Sequence, residues 1–145
     1  MKPNKSLLLG LGLFLSISTV IQAQTIKKDY YPNGKVKRTF NVISKNGRRA
    51  GLVTLYENNG NISQMQVVND SGIANGPFSA FYTKGKNKLQ MFGSFKNSKV
   101  DGRIVTFHQD TGNIEVVGFY RNGKKTGKWM LYDKNGKFIK AKFYD

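Results

Sequence analysis

The sequence predicts an all-β fold, an antiparallel meander of about five tandem β-hairpins, and three observations predict it. Glycines recur with one period: Gly51, Gly76, Gly102 and Gly127 are separated by 25, 26 and 25 residues. Gly34, Gly60, Gly85, Gly112 and Gly136 follow at separations of 26, 25, 27 and 24, and Gly47, Gly72 and Gly123 form a third series with Ser98 in its vacant slot. Aromatics keep step at Tyr31, Tyr56, Phe81, Phe107 and Tyr132. Self-similarity at a fixed spacing of this length marks a repeat architecture.

The first 23 residues are set apart from this pattern. Lys2 and Lys5 form a short positive region, the run LLLGLGLFLSISTVI from Leu7 to Ile21 is almost wholly apolar, and Ala23 supplies a small residue after it. That layout predicts a helical signal peptide over 1–23, cleaved after Ala23. The run has fifteen residues, whereas a transmembrane helix needs roughly 20, so an uncleaved anchor is the second reading of this segment. No cysteine follows, so a lipoprotein is excluded. The expected product is an exported chain, periplasmic or secreted, whose single domain spans 24–145.

Within that domain each unit of about 25 residues predicts one hairpin. The last copy is the plainest: Gly127-Lys-Trp129-Met-Leu-Tyr132, then a DKNGK turn, then Phe138 to Phe143. Short segments rich in Val, Ile, Phe and Tyr, bounded by Asn-Gly, Lys-Gly or Thr-Gly, read as paired strands. No window of a dozen residues keeps a 3.6-residue period without a glycine break, so no helix is predicted after residue 23. One pattern leaves two arrangements open. Val53/Tyr56, Phe78/Phe81, Ile104/Phe107 and Trp129/Tyr132 are three apart, which puts them on opposite faces of a regular strand. Either a bulge restores them to one face, or one member packs on the adjacent unit. Because a lone hairpin cannot bury its apolar face, neighbours must stack, giving a ladder of Val, Ile, Phe, Trp and Tyr that Phe143 and Tyr144 are expected to close.

Three stretches carry a resemblance: Arg121 to Lys137 (RNGKKTGKWMLYDKNGK), Lys45 to Asn61 (KNGRRAGLVTLYENNGN) and Lys96 to Asn113 (KNSKVDGRIVTFHQDTGN). They resemble the MORN family, more closely its bacterial variant form, the YwqK-family antitoxin repeat. The segment from Ser71 to Lys86 departs from the pattern, with Ser-Gly-Ile-Ala-Asn-Gly-Pro in place of the charged stretch. The resemblance implies an elongated, twisted antiparallel sheet of successive hairpins. It also implies roles as a protein-interaction scaffold, an anionic-lipid binder or an antitoxin-like neutraliser of a partner protein. The last of these works in the cytoplasm and fits an exported chain poorly. A repeat architecture does not by itself assign function.

The residue inventory argues against catalysis. The chain has no cysteine and one histidine, His108, so thiol nucleophiles and multi-histidine metal sites are excluded, and no cofactor is expected. Glu57 and Asp133 could be paired as acid and base, but both follow the repeat's tyrosine, where a short acidic side chain caps its own turn. Acid–base work needs two carboxylates in different environments, and these share one. His108, beside Gln109 and Asp110, reads as a surface turn residue. Gly123-Lys-Lys-Thr-Gly127 lacks the spacing of a phosphate loop. Trp129, the one tryptophan, sits in the repeat's core slot.

Charge is the stronger pointer to partners. The chain carries +16, and loss of Lys2 and Lys5 leaves +14. Basic residues crowd Lys27 to Arg49, Lys84 to Arg103 and Arg121 to Lys142, with none from Ala50 to Thr83. The turns between paired glycines are expected to project from one edge, where Arg48, Arg49, Lys99, Arg103, Lys124, Lys125 and Lys128 would form a basic strip for an anion or a partner. The bland alternative is a solvated edge whose lysines oppose aggregation. Another protein is the leading expected partner, and an anionic lipid or envelope polymer the alternative. Nucleic acid is not expected, because export removes the chain from it.

Overall fold

The computed structural model describes residues 25–42, 50–85 and 87–145; the signal peptide predicted over 1–23 lies outside them, as do Arg48 and Arg49. The described residues form β1 (Thr25–Tyr30), β2 (Val36–Val42), β3 (Gly51–Tyr56), β4 (Ile62–Val68), β5 (Ala74–Phe81), β6 (Leu89–Lys96), β7 (Lys99–Val100), β8 (Gly102–Phe107), β9 (Ile114–Arg121), β10 (Lys124–Tyr132) and β11 (Phe138–Tyr144). They make one open antiparallel sheet whose strand order follows the chain, the two-residue β7 pairing with β6 just before β8 takes over. The fold is the predicted all-β meander of hairpins.

Every hairpin is built alike. At one rim of the sheet, the amide of the first turn residue donates to the carbonyl that closes the loop: Tyr31 to Lys35, Glu57 to Asn61, Tyr82 to Lys88, His108 to Asn113 and Asp133 to Lys137. The first, second and last of these are three-residue loops, each with a positive-φ glycine before the chain re-enters a strand, the geometry such loops require. At the other rim the turns include the two-residue pairs Asn97-Ser98 and Asn122-Gly123, all with positive φ.

The hairpins also share a bulge. Leu55 pairs with Gln64 but Tyr56 pairs with Ile62, so Ser63 is skipped. The same shift skips Lys37, Gln90, Glu115 and Ile139. The bulge lies on the second strand, so the first strand keeps its alternation, and Val53 and Tyr56 remain on opposite faces. Of the two arrangements left open, packing on the adjacent unit is the one found: Phe107 meets Phe92 of the preceding hairpin, ring centroids 5.9 Å apart. The register also corrects the aromatic series. Tyr30, paired with Val36, is the structural counterpart of Tyr56, Phe81, Phe107 and Tyr132; Tyr31 belongs to the turn slot of Glu57, Tyr82, His108 and Asp133.

Cross-strand partners share a face, and the pairing therefore traces two ladders. One runs Phe40–Val53–Gln66–Phe78–Gly93 and resumes through the Ile104–Gly118 pair. This is the core face, where Phe40, Val53, Val68 and Ala74 are buried with Leu55 and Phe95 against them. Phe78 stacks on Phe95 at 4.3 Å, and Ile104 is 2% exposed. The other ladder runs Thr39–Thr54–Met65–Ser79–Phe92–Val105–Val117–Met130–Ala141. Val105 and Val117 are buried there while Phe92 stays exposed. At the C-terminal end, Tyr144 packs on Trp129 at 5.9 Å. Phe143 does not join it: paired with Lys128 on the opposite face, it is 72% exposed. Adjacent strand residues cannot both face inward.

Candidate interaction surface

The turns at both rims are tied to their neighbours, which fixes the surfaces between them. The Tyr31 hydroxyl donates to the Tyr56 carbonyl at 2.7 Å, the Tyr82 hydroxyl to that of Phe107 at 2.8 Å, and His108 Nε2 lies 3.0 Å from the Tyr132 carbonyl. His108 is therefore a link between repeats rather than a plain surface turn residue. Burial, reinforced by the nearby Glu115 and Asp110 carboxylates, holds the Tyr82 hydroxyl above its ordinary pKa. At the other rim the Gly123 amide donates to the Val100 carbonyl and the Asn122 amide to Asp101 Oδ2, both at 2.8 Å.

The five described residues of the expected basic strip lie on strands, not in turns: Lys99 on β7, Arg103 on β8, and Lys124, Lys125 and Lys128 on β10. They gather at the rim of the Asn97-Ser98 and Asn122-Gly123 turns, but the register divides them between faces. Arg103 pairs with Phe119, Lys124 with Arg121 and Lys128 with Phe143, all on the face opposite the core. Lys125 pairs with Tyr120 and stands over the Trp129 ring at 4.4 Å and that of Tyr144 at 5.4 Å. Three elements thus place Lys125 in an aromatic nest: Tyr120 from β9, Trp129 from β10 and Tyr144 from β11. The Trp129 indole in turn donates to the Phe119 carbonyl at 3.2 Å.

The sequence reading missed a set of exposed apolar side chains on the face opposite the core, with Phe119 and Phe143 beside those cations and Ile114 and Phe138 toward the far rim. Phe92, Ile114, Phe119, Phe138 and Phe143 are all exposed, Phe119 by 44%. Ile114 and Phe119, like Phe138 and Phe143, are five residues apart, so only the bulges at Glu115 and Ile139 bring each pair to one face, and spacing alone did not reveal it. A second missed feature is a groove of about 580 Å³ at the far rim, lined by Lys84, Lys88, Gln109, Asp110 and Lys134. There Lys134 Nζ meets Asp110 Oδ2 at 2.8 Å, and the contact pulls the Asp110 carboxyl below its usual pKa and raises that of Lys134. Basic charge therefore lines both rims.

The carboxylates behave as turn residues where their bonds are seen. Asp133 Oδ1 accepts from the amides of Asn135 and Lys137 at 2.9 and 2.8 Å. In the Glu57 turn it is Asn59 that accepts, from Asn61. The two turns are six strand spacings apart in the sheet order, roughly 30 Å at about 4.8 Å per strand, so Glu57 and Asp133 cannot act on one bond. Among the described residues no group of three His, Cys, Asp or Glu side chains is placed to hold a metal ion.

Comparison with protein families matches residues 25–43, the first hairpin, to the MORN repeat variant. The antiparallel hairpin sheet is consistent with such repeats, and the bulge and turn geometry of that hairpin recur in the four that follow. No curated protein matches the sequence.

Proposed function

We propose that this chain is an exported, non-enzymatic scaffold that holds a partner protein on the face opposite its core. The observation that carries the reading is the exposed row of Phe92, Phe119, Phe138 and Phe143, bordered on the same face by Arg103, Lys124 and Lys128. Several large apolar side chains left exposed on one face, with charge beside them, mark a docking surface, since leaving them in water is unfavourable. The export half of the proposal rests on Lys2, Lys5 and the apolar run that ends before Ala23. The non-enzymatic half rests on the residue inventory and on acids that serve turns. The test is capture of partners by the tagged chain from its host's envelope fraction, washed at low and then high salt. A single protein retained at high salt, and lost from a Phe92→Ser/Phe119→Ser variant, is the expected result. Equal retention by that variant would overturn the assignment of the face.

A second reading is favoured by one specific feature, the concentration of Arg103, Lys124, Lys125 and Lys128 at one rim. Near an acidic leaflet each lysine or arginine contributes about 1 kcal/mol, so the rim could hold an anionic lipid or envelope polymer instead. Binding of that kind weakens steeply with salt. Liposome binding that persisted after neutralising those four residues would remove it.

A further inference from the structure

The strand order ends at β11, whose outer side pairs with no strand among the described residues. An open edge leaves a row of backbone N–H and C=O groups that another extended chain can join. The side chains along this edge sort cleanly by face. Lys140 and Lys142 pair with Leu131 and Trp129 and belong to the core face, while Ala141 and Phe143 pair with Met130 and Lys128 and belong to the opposite one. Neither lysine takes part in an ion pair among the described residues.

That arrangement selects among occupants. In a second copy of this chain, a two-fold pairing centred on Ala141 would set Lys140 against Lys142 twice. The other end of the sheet offers β1 with Lys27 and Lys28, its one carboxylate, Asp29, being already ion-paired with Arg38. Like charges directly opposed across strands are destabilising and opposite charges stabilising. The lysines that bar self-association therefore admit an acidic strand.

We propose that β11 accepts an extended strand from the partner protein, one whose side chains alternate acidic and apolar. Its acids lie beside Lys140 and Lys142, and its apolar side chains lie beside Ala141 and Phe143, extending the exposed apolar row by one strand. The proposal rests on the scaffold reading above and specifies the recognition chemistry at its C-terminal edge.

The test uses the purified chain and three labelled probes: a peptide of five Glu-Val repeats, its Lys-Val counterpart, and a polyglutamate of mixed stereochemistry and equal charge. Binding is followed by fluorescence anisotropy, and the edge engaged by amide hydrogen exchange. The Glu-Val peptide should bind, the Lys-Val peptide should not, and exchange should slow in β11 but not in β1. A Lys140→Glu/Lys142→Glu variant should bind the Glu-Val peptide about tenfold more weakly and acquire binding of the Lys-Val peptide. Polyglutamate binding as tightly as the peptide, protection outside β11, or an unchanged double variant would each overturn the proposal. If the charge-reversed variant still captures the same partner protein, the edge assignment falls and the scaffold reading stands. If the peptide results hold but no partner is captured, the edge assignment stands and the scaffold reading falls.

Discussion

The indole of Trp129 fills the space that a side chain on Gly118 would need: a Cβ there would stand 2.2 Å from the ring's Cδ2. The ring of the fifth hairpin is thus seated on the bare backbone of the fourth. Gly118 has an ordinary φ, so the requirement for glycine is spatial. Gly118→Ala should cost about 1–3 kcal/mol of unfolding free energy, the range for overpacking a filled core. Combined with Trp129→Ala, its own cost should largely vanish, because the clash is gone. Denaturant unfolding of the two single variants and the double checks this; strictly additive losses would mean that the ring and glycine do not share the space.

Gly123 is required for the opposite reason. Its φ is +80°, and a Cβ would meet only the Lys99 Cβ at 3.8 Å. Space is ample but an L side chain is strained there, so Gly123→Ala should cost roughly 1 kcal/mol. Unlike Gly118→Ala, that loss should persist when Trp129 is removed.

The Tyr82 hydroxyl, donating to the Phe107 carbonyl, ties a pH dependence to the joint between the third and fourth hairpins. Its pKa is raised in the fold above the ordinary 10.0, chiefly by burial and then by Glu115 and Asp110. An acid whose folded pKa is raised contributes stability that is fully present below the unfolded value and is lost as pH climbs through the folded one. Stability should therefore decline above about pH 10. Tyr82→Phe should lower stability near neutrality by about 1 kcal/mol, the net worth of one hydrogen bond, and flatten the alkaline decline. A variant with an unchanged alkaline profile would show that the decline arises elsewhere.

The repeat and its hairpins were legible in the sequence because glycine has few substitutes where φ is positive, so turns print themselves at a fixed spacing. The faces were harder to read. Each hairpin skips one residue on its second strand, and Lys37, Ser63, Gln90, Glu115 and Ile139 share no side-chain chemistry that would announce a bulge. One unread skip flips every later side chain to the other face. Elsewhere simple alternation decides: it sets Lys125 apart from Lys124 and Lys128 on β10 and Phe143 apart from Tyr144 on β11, against the single basic strip and the two-residue closure expected from composition. Tyr30 and Tyr31 show the same ambiguity at its smallest: two adjacent tyrosines, only one of which occupies the aromatic slot.

His108 takes the turn slot that Tyr82 holds one repeat earlier and serves the same purpose, with Nε2 at 3.0 Å from the Tyr132 carbonyl. Its neutral tautomer with Nε2–H can donate that bond. His108→Ala should lose about 1 kcal/mol, with faster amide exchange confined to the last two hairpins. Faster exchange throughout the sheet would instead assign His108 a role in the shared core.

Phe40 and Phe143 are the same residue in opposite situations, and together they separate folding from recognition. Phe40 is 5% exposed within the buried cluster, so truncation to Ala should cost about 3–5 kcal/mol. Phe143 is largely in water, and Phe119 nearly half so; substitutions at exposed sites usually stay within about 0.5 kcal/mol. A Phe119→Ser/Phe143→Ser variant should therefore unfold at nearly the wild-type denaturant midpoint. If those rings exist to hold a partner, the same variant should lose high-salt capture of it. A variant that kept its partner would show the row to be an apolar surface without that role. One that lost several kcal/mol would show that the rings stabilise the sheet itself.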